Sequence, residues 1–375
     1  MAVAARMSLV TFLGIYFVRR AGIDVGTVGL AFLVESLLRG AAAPMFGALS
    51  DRIGRRALLI AAALATAIVL PSFLLVSGPA SLFAWSVAMG LAGAVNMPVA
   101  TALLLDLAPP ERRQSVLAAN YTAMSVAYTL GVTPAGYVAE QSYAVLAGIA
   151  CAGYLVVALL YTLVFRAPPA LERSEAGVVK ETVAAFRDRS FLLFAAAAFV
   201  FPLSMGLVVV ASPLYGADVG LGEGYIGLVL GGNSLIVAAL AVPLAARIEP
   251  RGPFRLLGAA ALVVAGGIAC YALVPGAAAG YLAGTVVFSF GELVFSSAVP
   301  AAVARLAPAG RRGAYQGGWS LVASFSMGSA LFASGLLRDT LGWRAAWLAF
   351  AALIAAAALL LFLLRRKFLE RPGER

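Results

Sequence analysis

Histidine is absent from the 375 residues, and cysteine occurs only twice, as Cys151 and Cys270. Without histidine, imidazole acid–base catalysis and His metal ligation are excluded. Two cysteines inside apolar runs supply neither a disulfide framework nor a metal-ligand cluster. Charge is scarce as well: Asp, Glu, Lys and Arg together make up 12% of the chain. A Gly-x-x-x-x-Gly-Lys-Ser/Thr phosphate loop is missing, which disfavours ATP-driven pumping of that type. No nucleophile–base spacing points to an enzyme, and neither a cofactor nor a metal is expected.

What fills the chain is hydrocarbon. Hydrophobic residues make up 62%, and the mean hydropathy is +0.97. A soluble domain is nearer about 45–50% apolar. Apolar runs of about 20 residues recur along the whole length, enough to cross a bilayer core of roughly 30 Å. Lipid offers no hydrogen-bond partners, so such runs must be helices. The short alternating segments of a membrane β-barrel are not seen. Nor is a separable signal peptide evident.

The runs read as twelve spans: 2–18, 26–46, 57–77, 81–105, 115–138, 143–165, 191–214, 224–246, 255–274, 280–304, 313–336 and 343–364. The one long polar connector, Arg166–Ser190, separates six spans from six. The expected organisation is therefore an N-terminal six-helix lobe over 1–165, a linker over 166–190, and a C-terminal six-helix lobe with a tail over 191–375.

The formal charge of +10 could suggest nucleic acid, but its placement argues for topology instead. Loops after even-numbered spans, with the C-terminal tail, hold 21 Lys and Arg; the opposite side holds 4. The positive-inside rule then puts both termini and the linker in the cytoplasm. A bacterial or archaeal inner membrane is the expected location.

The halves repeat weakly. Leu107-Ala108-Pro109-Pro110-Glu111-Arg112-Arg113 matches Leu306-Ala307-Pro308-Ala309-Gly310-Arg311-Arg312 at an offset of 199, and Gly136 then matches Gly335. Arg52-Ile53 matches Arg247-Ile248 at 195. Parallel repeats of this kind are a transporter architecture.

One loop stands out: Gly47-Ala48-Leu49-Ser50-Asp51-Arg52-Ile53-Gly54-Arg55-Arg56, with four ionised residues in ten. It resembles the loop between helices 2 and 3 of major facilitator superfamily transporters, which reads Gly-x-Leu-x-Asp-Arg-x-Gly-Arg-Arg/Lys. The resemblance implies a twelve-helix fold in two lobes, working by alternating access. It also implies that Asp51 faces the start of helix 11, near Gly313, when the cavity is open outward. Arg55 would then pair with Asp106. Helix dipoles favour a carboxylate at such an N-terminus. A solvated loop that only obeys the positive-inside rule is the alternative.

Around Glu292, the run Gly291-Glu292-Leu293…Pro300…Arg312-Gly313-x-Tyr315-x-Gly317 resembles bacterial drug-efflux-like members of that family. Two features depart from drug–proton antiporters. Ser86 stands where they carry an arginine four residues before Gly90, and Thr133 precedes Pro134 where they carry glycine.

Ionisable groups inside spans are costly, roughly 2.5–3.5 kcal/mol each by insertion scales, and face cavities or partners. Glu35 and Arg39 are four apart, on one helical face. Glu292 has no basic neighbour in its span before Arg305. A desolvated, unpaired carboxylate can carry a proton or meet a cationic substrate. Arg6, Tyr16, Asn96, Asn120, Tyr121, Asn233, Gln316 and Trp319 are further candidates for the cavity lining, or for interhelical contacts. Arg6 also interrupts a short first span. Either the chain starts inside helix 1, or that helix is short and Arg6 snorkels to the interface.

The leading functional expectation is proton-coupled export of small amphipathic or cationic compounds by a monomer in lipid. Transport of a defined metabolite, such as a sugar, organic acid or amino acid, is the alternative. A transporter-like receptor or lipid-handling protein is the reading from another class.

Overall fold

The computed structural model describes residues 1–164, 185–248, 253–308 and 311–369. Most of the 166–190 linker and the tail from 370 lie outside the described residues. Among the described residues there is helix and no strand. The helical segments are α1 (Ala2–Arg20), α2 (Val25–Ile53), α3 (Arg55–Leu75), α4 (Pro79–Leu107), α5 (Arg113–Gln141), α6 (Tyr143–Leu163), α7 (Arg189–Asp218), α8 (Glu223–Ile248), α9 (Pro253–Leu273) and α10 (Ala277–Leu306). The last helical stretch, Arg312–Leu369, is broken at Gly342, where φ is 79°. We call its parts α11 (312–341) and α12 (343–369).

Ten described segments are long and apolar enough to cross a bilayer, the tenth being the broken pair. Helix α5 has 29 residues but is more polar. The twelve expected spans thus correspond to ten apolar segments, one bent in two, and one polar helix. Several run longer than expected: α2 extends to Ile53, carrying Asp51 and Arg52 as its last turn. Helix α1 ends in a π-helical turn, Tyr16–Arg20, and α7 contains another, Leu207–Ala211.

Local chemistry sets the helix ends. Asp24 caps α2 by accepting from the Thr27 N–H at 2.8 Å, which holds its carboxyl below the usual range. Ser142 caps α6 in the same way through the Val145 N–H. Gly54 turns the chain between α2 and α3 at φ 93°, a conformation that favours glycine.

Helices of the first half pack on one another: α1 on α5, α2 on α4, α3 on α6. In the second half, α9 packs on α10 and on the 312–369 stretch. The halves meet chiefly along two pairs, α2 with α11 and α5 with α8. Both pairs are tightest away from the Gly47–Arg56 loop. A Cβ on Gly29 would lie 2.4 Å from the Phe332 backbone, and one on Gly136 would lie 2.2 Å from the Glu223 carbonyl. Small residues let helices approach this closely where lipid removes the usual hydrophobic drive. At the loop end, a Cβ on Gly47 or Gly313 would meet nothing within 4 Å. The bundle is closed at one end and parted at the other.

Gly136→Ala should therefore overpack the closed end, at a cost of about 1–3 kcal/mol, and lower the thermal midpoint in uncharged detergent. Gly148→Ala, with nothing within 4 Å of its Cβ, should leave the midpoint level or raise it. Equal shifts in the two variants would contradict the close α5–α8 approach.

Candidate functional site

Charges at membrane depth gather in two places. The first is on α2. Glu35 is 8% exposed, and Arg39, one turn later, brings its Nε to 3.4 Å from Glu35 Oε1. Arg6 of α1 donates from Nη2 to that same oxygen at 2.7 Å. Arg39 Nη2 also donates to Ser36 Oγ at 3.3 Å, and Ser36 Oγ donates to the Ser324 carbonyl of α11 at 2.8 Å. Room for two guanidiniums comes from α4, where a Cβ on Gly93 would sit 3.3 Å from both arginines. The cluster opens on a cavity between the halves. Phe32, Trp85 and Met89 wall it from the first half; Val210, Met327 and Leu331 wall it from the second.

The second place is on α10. Glu292 is 6% exposed and accepts from Asn233 Nδ2 of α8 at 3.1 Å. Ser289 donates in turn to Asn233 Oδ1. Among the described residues no Lys or Arg forms an ion pair with Glu292. Tyr121 and Tyr128 of α5 lie within electrostatic range of it, and Tyr128 sits beside Thr11 of α1. A buried carboxylate so placed carries a large desolvation cost unless it takes a proton or a cation. Proton exchange is chemistry this arrangement can do; among the described residues no group of three or more His, Cys, Asp or Glu could hold a metal ion.

At the loop end, Arg55 Nη1 meets Asp106 Oδ2 at 2.6 Å, and its Nη2 meets Asp51 Oδ1 at 3.1 Å. Arg56 donates from Nε to the Tyr161 carbonyl at 3.0 Å and from Nη2 to the Thr162 carbonyl, capping the end of α6. Cations are favoured at helix C-termini. Arg52 is exposed. Asp51 is turned to Arg55, and no described contact joins it to the start of α11.

The closed end carries polar contacts that sequence reasoning missed. Asp218, at the end of α7, holds Arg19 of α1 at 3.2 Å and Arg338 of α11 at 2.9 Å, and accepts from Trp343 Nε1 of α12 at 2.9 Å. Glu140 accepts from the Gly224 N–H at 2.8 Å, and Tyr143 donates to Glu223 at 2.9 Å. The missed signal was acids at the far ends of spans. In the sequence, Arg19 and Arg338 count only among the four basic residues opposite the loop side.

The other candidates divide. Asn233 joins Glu292. Tyr16 packs its ring against Phe73 and Tyr143, with centroids 4.7 and 5.0 Å away. Gln316 donates to the Pro300 carbonyl, and Trp319 is buried against Phe194. Asn120 contacts only the Met124 sulfur in its own helix, at 3.6 Å. Asn96 opens the second part of α4 after a break.

Comparison with known proteins follows the same lines. The model of the Major Facilitator Superfamily matches residues 1–291 and 194–375. A Na(+), Li(+), K(+)/H(+) antiporter of Planococcus maritimus is 26% identical over 339 residues, 81% of this chain and 79% of that protein. A mutant of the nucleoside transporter NupG superposes with a TM-score of 0.82 at 13% identity, covering 96% of each chain. The human organic anion transporter MFSD10 does so at 0.69 and 18%, again over 96% of each. A proton dependent oligopeptide transporter gives 0.78 and 15%, over 99% of this chain and 97% of the other. At such identities the solved structures show the fold alone.

Asp218→Asn should loosen the closed end. Losing the Arg19–Asp218 ion pair, worth up to about 1 kcal/mol, should speed labelling of Ile23→Cys, in a Cys151→Ser/Cys270→Ser background, by up to about fivefold. Ile23 is 5% exposed here. A labelling rate that does not move would remove Asp218 as a tie between the halves.

Proposed function

We propose, for this chain, which belongs to the Major Facilitator Superfamily and is an integral membrane transporter, proton-coupled antiport by alternating access with Glu292 as the proton site. One observation carries the reading: a carboxylate buried inside the bundle with an amide as its hydrogen-bond donor and, among the described residues, no cation beside it. Such a group is neutral when it holds a proton and needs a cation or water when it does not. Its occupancy can therefore bias which end of the bundle opens.

The cycle we envisage moves 1–165 and 191–375 as two lobes about the central cavity. The 21 basic residues at the loop end put that end in the cytoplasm. The conformation described is then inward-facing. Opening outward separates Arg19 from Asp218 and brings Asp51 toward the start of α11. A proton reaches Glu292 from outside, the lobes rock, and the proton leaves inward as cargo is taken up for export. The cargo in this reading is a small amphipathic or cationic compound, and the transporter is a monomer in a bacterial or archaeal cell membrane. The name of the Planococcus relative supports exchange against protons. It also favours a second reading, in which an alkali cation binds Glu292 directly.

The test uses proteoliposomes with an imposed pH gradient and an internal pH dye. Tetraphenylphosphonium, NaCl and KCl are added separately. The wild type should dissipate the gradient on adding a transported cation, and Glu292→Gln should do so at least about tenfold more slowly. A response to the alkali salts without one to tetraphenylphosphonium selects the second reading. An unaltered pH response in Glu292→Gln overturns both.

A further inference from the structure

We propose that the cavity walled by α1, α2, α4, α7 and α11 binds an amphipathic organic monoanion. Its acidic head would lie on Arg6 and Arg39, and its apolar body against Phe32, Trp85 and Met327. The inference rests on the transporter reading, takes the amphipathic cargo of that reading in place of the cationic one, and gives it an anionic head. It does not require Glu292 to be the proton site.

Charge is the first argument. The cluster holds two guanidiniums and one carboxylate, and both arginines converge on a single oxygen of Glu35. One positive charge is left over. Arginine does not lose its proton in proteins, so the excess cannot be removed by titration. At membrane depth an uncompensated cation is costly. A monoanion in the cavity would neutralise it; a cation would double it.

Hydrogen-bonding capacity is the second argument. Each guanidinium carries five N–H donors. Arg6 uses Nη2 on Glu35, and Arg39 uses Nη2 on Ser36. The Nε atoms of both are buried: that of Arg39 lies 3.4 Å from Glu35 Oε1, too poorly aligned for a hydrogen bond, and that of Arg6 makes none. Planar forks of this kind suit a carboxylate or sulfonate better than a neutral group.

The lining is the third. Away from Glu35 and Ser36 the walls are aliphatic, aromatic and thioether side chains, which accept a hydrocarbon body and offer it no second charge. Because residues of both halves form the walls, an occupant would be exposed or sealed as the halves rock.

Three probes with one body and different heads test this: 2-naphthoate, 2-naphthamide and 2-naphthylmethylammonium. Each is titrated calorimetrically into the purified full chain in dodecyl maltoside, an uncharged detergent. The naphthoate should bind at least about tenfold more tightly than the amide, and the ammonium should give no heat. Arg39→Gln should abolish the preference for naphthoate. Met89→Trp, which fills the cavity without touching a charge, should weaken naphthoate binding and keeps the test decisive if the arginine variant does not fold. Amide or ammonium binding as tight as naphthoate overturns the proposal. So does an absence of naphthoate binding, or an undiminished preference in Arg39→Gln or affinity in Met89→Trp. No proton gradient is present, so the outcome is independent of coupling at Glu292.

Discussion

Hydrocarbon cannot solvate charge, and the ionised side chains inside this bundle are arranged around that constraint. Glu35 is held by two arginines from two helices. Glu292 is held by an amide and no cation. The first arrangement stays positive, because guanidinium does not lose its proton in proteins. The second can shed its charge by taking one proton. The two halves of the chain thus differ in kind: one offers a permanent positive field, the other a group that can change sign of occupancy. A transporter needs both a place that holds cargo and a place that responds to the driving ion, and in the function proposed here these fall on different helices.

The ties between the halves are matched to reversible motion. At the closed end the helices touch backbone to backbone through Gly29, Gly136 and Gly227. Polar contacts there, Arg19–Asp218 and Tyr143–Glu223 among them, sit near the ends of helices, where water can replace them. Exposed ion pairs are worth about 0–1 kcal/mol each. A closure built from a few of these is within reach of the binding energy of a proton or a small ligand. At the loop end the strong pairs, Arg55 with Asp106 and Arg55 with Asp51, lie inside the first half. They shape the loop without fastening it to α11, which leaves Asp51 able to serve either end state.

The spans were legible because twenty apolar residues in a row admit few readings. The Glu35–Arg39 pair was legible because four residues make one helical turn. Glu292 was legible as an acid with no basic neighbour in its own helix, though Asn233, its actual hydrogen-bond partner, stood in the reading only as a general cavity candidate. Arg6 on Glu35 was not legible, since it depends on how α1 packs against α2, and nothing in the spacing of 29 residues reports that. Asp218 was lost for another reason. A charge at a span end looks like a topology marker whether or not it holds three other helices. Trp319 and Gln316 fit the interhelical alternative: one is packed in the core against Phe194, and the other donates to the Pro300 carbonyl of α10.

Helix α1 connects the two charged places. Arg6 reaches Glu35, and a turn and a half later Thr11 lies beside Tyr128, which in turn is within electrostatic range of Glu292. A shift of α1 therefore alters both environments together. The same helix ends in a π-turn, and its counterpart α7 carries one where Val209 and Val210 line the cavity. A π-turn has a register unlike the helix around it and is common where helices adjust at functional sites. Rigid rocking of two lobes would carry the charged groups along unchanged. In the proposed cycle, adjustment at the π-turns of α1 and α7 would let the cavity wall respond to an occupant, and that response would reach Glu292 without any direct contact between the occupant and the carboxylate.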